Sequence, residues 1–75
     1  MNNLKRLREA KELTARELSE LSGVSASSIR MYEIYIRDIN KASGVILYKL
    51  AKVLDCTIEE LLEPDKMLYN EKNKE

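Results

Sequence analysis

The apolar positions of this chain recur at steps of three and four residues, and each run follows a residue type that starts helices. Leu4, Leu7 and Ala10 follow Asn3, and Leu13 closes that run. Leu18 and Leu21 follow Thr14, which makes a capping box with Glu17, each side chain bonding the other's backbone N–H. Gly23 then stands where a left-handed residue ends a helix. Ser25 caps a third run carrying Ile29 and Tyr32. Ser43 caps a fourth, whose Ile46, Leu47, Leu50, Ala51, Val53 and Leu54 form a broad apolar stripe. Thr57 and Glu60 make a second capping box before Ile58, Leu61 and Leu62, and Pro64 biases Glu63 out of the helix. The pattern predicts five short helices, a loop or turn over 37–42, a frayed end over 70–75, and no strand.

One stretch resists this reading. Residues 31–37, MYEIYIR, have the β-branched and aromatic density of a strand. A lone strand would have no partner in a helical chain. No glycine follows to take a left-handed cap, and Ile36 prolongs the stripe of Ile29 and Tyr32. The third helix is therefore expected to run on through about Tyr35 or Ile36, with Ile36 sealing the core. Stepping 100° per residue from Ile29 puts Tyr32, Glu33 and Ile36 within about 60° of it, on the core side. Ser27, Met31 and Ile34 fall opposite, with Arg30 and Tyr35 on the flanks.

The same projection puts Arg8 about 40° from Leu4 and Glu33 about 40° from Ile29. Both charges lean inward, which predicts a partly buried structural ion pair, Arg8 with Glu33, joining helices one and three. Between helices two and three the connection Gly23-Val24-Ser25 is too short for anything but a steep crossing. Val24 is expected beneath that corner, with Ala15, Leu18, Leu21 and Ile29 as inner contacts. Such a corner lets its second helix protrude far enough to enter a DNA major groove.

Composition narrows the chemistry. A chain of 75 residues, 44% of them hydrophobic, supports one modest core with little room for a substrate cavity. Cys56 is the sole cysteine, so no internal disulfide forms, and its apolar context marks it as a small buried hydrophobe. There is no histidine, which removes Ser-His and Cys-His dyads and the ordinary zinc sites. Gly23 and Gly44 are the only glycines, so no glycine-rich phosphate loop is present. Neither an enzyme nor a metal or other cofactor is expected. The longest apolar run, Val45-Ile46-Leu47-Tyr48, is far below the roughly 18 residues of a membrane span. Lys5, Arg6 and Arg8 have no apolar stretch behind them, so a secretory signal is not expected and the chain is assigned to the cytoplasm, away from membranes. Net charge is +0 overall. It divides unevenly, since residues 1–52 hold 10 Lys/Arg against 6 Asp/Glu and residues 53–75 hold 3 against 7. A basic body with an acidic end fits a one-sided electrostatic footprint.

The marks Leu4-x-x-Leu7-Arg8, Leu13-Thr14-x-x-Glu17-Leu18, Gly23-Val24-Ser25, Ile29-x-x-Tyr32-Glu33 and Leu50-Ala51-x-x-Leu54 resemble the Cro/C1-type (XRE-like) helix-turn-helix transcriptional regulators of bacteria and phage. The likeness runs from about Leu4 to Leu62. It implies an all-α, compact five-helix bundle of the lambda-repressor-like DNA-binding type with a central helix-turn-helix. That domain would occupy 1–63, with 64–75 as a C-terminal tail. The chain departs from the family pattern at Ala15, where glutamine often contacts a phosphate, at Ile34-Tyr35, where a small or glycine-containing turn is usual, and in a longer stretch before helix four.

The resemblance implies a sequence-specific regulator of the repressor kind, docking helix three in the major groove of double-stranded DNA. Ala26, Ser27, Arg30 and Met31 would contact bases, with Arg30 reading guanine O6 and N7 bidentately. Ile34 lies on the same outer face, where it and Met31 could pack on thymine methyls. Arg16, Ser25, Tyr35, Arg37 and Lys41 would contact phosphates, helped by the helix N-termini. One short helix reads few base pairs, so a homodimer on a palindromic operator is expected, with half-sites about one DNA turn apart. Helix five with Met67-Leu68-Tyr69 is the candidate dimer surface, unless those three residues fold back on their own core. A reading from another class stays open: an antitoxin-like interaction module whose main partner is another protein. Ala15, the zero net charge and the apolar Ile34-Tyr35 pair favour it.

Overall fold

Asn2, not Asn3, starts the first helix. Its side-chain oxygen accepts from the Lys5 N–H at 2.9 Å, while its amide donates to the Tyr32 carbonyl at 3.0 Å, so the cap is also a buried tie between distant parts of the chain. Asn3 is occupied elsewhere, donating to Glu63 Oε2 at 2.8 Å and to the Leu62 carbonyl at 2.6 Å. The computed structural model describes residues 2–63. Residues 67–69 and 70–75, the subject of two of the expectations above, lie outside them.

Among the described residues there are five α-helices and no strand: α1 (Asn3–Ala10), α2 (Ala15–Ser22), α3 (Ala26–Glu33), α4 (Gly44–Leu54) and α5 (Ile58–Leu61). A 3-10 turn, Ile39–Lys41, sits inside the 37–42 loop. The capping chemistry is local and explicit. Thr14 with Glu17 and Thr57 with Glu60 make complete capping boxes, and Ser25 and Ser43 accept from the N–H three residues on. Gly23 adopts φ 81° and closes α2, its N–H bonding the Ser19 carbonyl at 2.8 Å. α5 ends at Leu61, and Glu63 lies outside it, its backbone held by Asn40 through Asn40 Oδ1 at 2.9 Å and Nδ2 at 3.3 Å.

The third helix corrects the expectation. It ends at Glu33, and Tyr35 lies at φ 65° in the left-handed region. The Ile36 N–H reaches back to the Met31 carbonyl at 3.0 Å and the Tyr35 N–H to Tyr32 at 3.3 Å. These two bonds are the Schellman pattern, with tyrosine where glycine is usual. Glu12 and Asp55 end α1 and α4 in the same way at φ 58° and 54°. In them Leu13 N–H bonds the Arg8 carbonyl at 3.2 Å and Cys56 N–H the Ala51 carbonyl at 3.0 Å. Three times, then, the carbonyls at a helix end are satisfied by a residue that bears a Cβ in a conformation such residues disfavour.

The turn at Tyr35 also changes what fills the core. Ile36, expected to seal it, is 72% exposed, and Ile39 is buried instead. Leu4, Leu18, Ile29, Leu50, Leu54 and Leu61 are completely enclosed, joined by Val24, Tyr32, Leu47 and Ala51. Val24 lies under the α2–α3 corner as expected, and Ala15 packs against the core from its edge. Leu21 does not join them; it is 64% exposed. α2 packs on α3 and α4, and α1 bridges α3 and α5. No helix among the described residues is long and apolar enough to cross a membrane.

Candidate nucleic-acid interface

α3 is a short helix held from behind. Ile29 and Tyr32 are buried, and the Asn2 amide fixes the Tyr32 carbonyl. Glu33 turns its carboxylate inward, where Arg8 Nε meets Oε2 at 2.7 Å and Nη2 meets Oε1 at 3.0 Å, with side chains 12% and 7% exposed. Arg8 Nη1 also donates to the Leu13 carbonyl at 2.7 Å. This is a bidentate, charge-assisted fork. The hydrogen bond to Glu33 is the main reason that the Arg8 pKa rises further above its ordinary value. The pair ties the start of the fold to the end of α3.

That inward turn decides the charge of the outer face. α3 carries two charged residues, Arg30 and Glu33. With Glu33 consumed by Arg8, Arg30 is the exposed charge that remains. Ser27 is exposed beside it, while Ala26 and Met31 are half-buried at the edges. Ile34, expected on the outer face of a longer helix, is instead the residue that caps α3, and it is exposed next to Tyr35.

At the start of α3 a hydrogen-bonded chain runs outward. Ser25 Oγ accepts from the Ser28 N–H at 3.1 Å and donates to Ser28 Oγ at 2.9 Å, and Arg37 Nη1 donates to Ser28 Oγ at 3.2 Å. The Arg37 guanidinium carbon lies 5.8 Å from the Tyr32 ring centroid. Arg37 is thus folded back along α3, a position that periodicity alone did not give, and Ser28 is the member of this set that sequence reasoning missed. Its signal was the three-residue step from Ser25. Lys41 is exposed at the end of the 3-10 turn. Arg16 is exposed at the start of α2 and lies 3.5 Å from Glu20, one turn on, a contact that water screens. Of the residues singled out, Ser27, Arg30 and Arg37 are gathered on and beside α3, whereas Arg16 and Lys41 stand on neighbouring elements.

Among the described residues no cluster of His, Cys, Asp or Glu could hold a metal ion. Cys56 is half-buried against the core. Burial, more than nearby Glu60 and Asp55, pushes its thiol pKa up.

A family model described as helix-turn-helix matches residues 4–61, spanning the core, the α2–α3 corner and α5. No curated protein and no solved structure matches the chain.

Proposed function

The chain belongs to the helix-turn-helix family of the Cro/C1-type, XRE-like DNA-binding regulators, and from that premise we propose that it is a sequence-specific transcriptional repressor that works in the cytoplasm. α3 enters the major groove of duplex DNA. Arg30 reads a guanine, Ser27 bonds a neighbouring base edge, and Ala26 and Met31 pack beside them. Arg37 and Lys41 meet the phosphates that flank the groove, together with Arg16, Ser25 and Tyr35. Residues 1–63 make up the DNA-binding domain and 64–75 a tail that contributes to a homodimer, so that two copies of α3 reach successive major grooves of a palindromic operator.

The observation that carries this reading is the charge arrangement on α3. A bidentate pair removes Glu33 from the surface and leaves Arg30 as the exposed charge of a rigidly backed helix. A helix selected only for packing has no need to bury a carboxylate in order to present a cation. Selection of bound duplexes from a random pool tests the reading directly. The expected outcome is an enriched, two-fold symmetric sequence whose affinity falls steeply with salt. A pool that stays random, or binding that ignores salt, refutes it.

A further inference from the structure

α4 has a second face, part apolar and part basic, that is not covered by the fold. Leu47, Leu50, Ala51 and Leu54 point into the core. On the other side Val45, Tyr48, Lys49 and Lys52 recur at the spacing of one helical stripe, and Val45 and Tyr48 are 62% and 56% exposed. Leu21, in the last turn of α2, faces this stripe and leaves its side chain in solvent. Between them lies a groove of about 280 Å³ lined by Leu21, Ser22, Tyr48, Lys49, Lys52 and Val53. That is nearly twice the roughly 150 Å³ that accepts a benzene ring, so an aromatic or large aliphatic side chain fits.

The rim is charged on one sign only. No carboxylate lines the groove, and neither lysine enters an ion pair among the described residues, where the pairs are Arg8 with Glu33 and Arg16 with Glu20. Lys52 rests against Tyr48 instead, 5.6 Å from the ring centroid and 3.4 Å from the hydroxyl. Packing this face against the same face of another copy would set Lys49 and Lys52 against their own counterparts, a like-charge juxtaposition that disfavours self-pairing. An occupant with a large apolar side chain between carboxylates fits both the floor and the rim.

We propose that the groove between α2 and α4 docks an acidic, apolar segment of a partner protein. α3 takes no part in lining it, so docking and DNA binding use separate surfaces. The docking is independent of the DNA reading, and each can fail alone.

The test is selection of a random short-peptide display library against the full chain, followed by titration of the winning synthetic peptide into isotope-labelled protein. Enriched peptides are expected to share one large apolar residue flanked by Asp or Glu, and to shift the amides of Leu21, Tyr48, Lys49, Lys52 and Val53. The double variant K49Q/K52Q is expected to weaken that peptide by about tenfold or more and to flatten its salt dependence. Leu21→Ser should weaken it as well, while both variants keep the parent melting temperature and duplex affinity. Enrichment of peptides without acidic residues, shifts confined to α3, or no enrichment at all would overturn the proposal. So would sedimentation showing that the free chain is already a dimer which Leu21→Ser dissociates, since a second copy would then own the groove.

Discussion

Replacing Tyr35 by glycine and, separately, by alanine separates two backbone states that predict opposite signs. Tyr35 sits at φ 65°, a region that costs a residue bearing a Cβ about 1–2 kcal/mol and glycine almost nothing. Both variants lose the tyrosine side chain and whatever it contributes, so the comparison between them cancels that loss. What remains is the left-handed cost borne by alanine, offset by the roughly 0.4–1 kcal/mol that glycine gives up through its freer unfolded chain. Tyr35→Gly should therefore be more stable than Tyr35→Ala by about 0.5–1 kcal/mol. For a domain of this size that is a difference in melting temperature of roughly 2–8 °C, readable by circular dichroism at 222 nm or by calorimetry on matched samples. If α3 instead ran on as a helix through Tyr35, alanine would win by about 0.5–1 kcal/mol, because glycine weakens helix interiors. Tyr35→Ala melting above Tyr35→Gly refutes the Schellman ending of α3.

Other outcomes follow from individual contacts. Arg8→Met and Glu33→Gln should each destabilise by on the order of 3 kcal/mol, because each strands a mostly buried polar partner, whereas the double variant R8M/E33Q should cost less than the two singles combined; additive losses in denaturant titrations would show that the pair is not coupled. Arg30→Ala should cost about 1–3 kcal/mol on the preferred duplex and relax one base position, and an equal loss on every sequence would reassign it to a phosphate. Arg37→Ala should weaken all duplexes alike and lower the salt slope by about one, measured by anisotropy across a salt series. The backbone N–H of Thr57, then its hydroxyl, holds the Glu60 carboxyl below its usual value of 4.5. A lowered carboxylate stabilises the fold above its unfolded pKa, and that gain disappears as pH falls through the folded one. Glu60→Gln should thus flatten the acid limb of the melting profile, and an unchanged limb would remove the capping box from the account.

Two kinds of feature were legible in the sequence: what is decided within about four residues, and the inward lean of Arg8 and Glu33, which helical projection shows although they meet 25 residues apart. The capping boxes, the serine caps and Gly23 follow from side-chain chemistry that the chain states outright. Positions 12, 35 and 55 were not legible, since glutamate, tyrosine and aspartate carry no sign that they will turn left-handed. Their helices end there because a backbone N–H one residue further on finds a carbonyl five residues back, and because packing fixes where the next element must begin. Leu21 was misplaced for a related reason. Its three-residue step from Leu18 is compatible with the core, but Val24 is the residue buried at the corner, and Leu21 is left on the rim of a groove.

The end of α3 is where these limits meet the site. Had α3 continued through Ile36, Arg37 would lie about 14 Å along the axis from Ser28, at a helical rise of 1.5 Å over nine residues. Because the chain reverses at Tyr35, the guanidinium comes back to 3.2 Å from Ser28 Oγ and lies over the Tyr32 ring. One unfavourable φ therefore does two things. It exposes Ile36, which a longer helix would have turned toward the core, and it adds a second cation to a face where the helix itself offers only Arg30. The strain of the left-handed tyrosine and the electrostatics of the surface are consequences of the same turn. Substitutions that shift the turn should also displace Arg37, whereas Tyr35→Gly, which accepts the left-handed φ in place, is expected to leave Arg37 at Ser28 and to lose only the phosphate contact proposed for Tyr35.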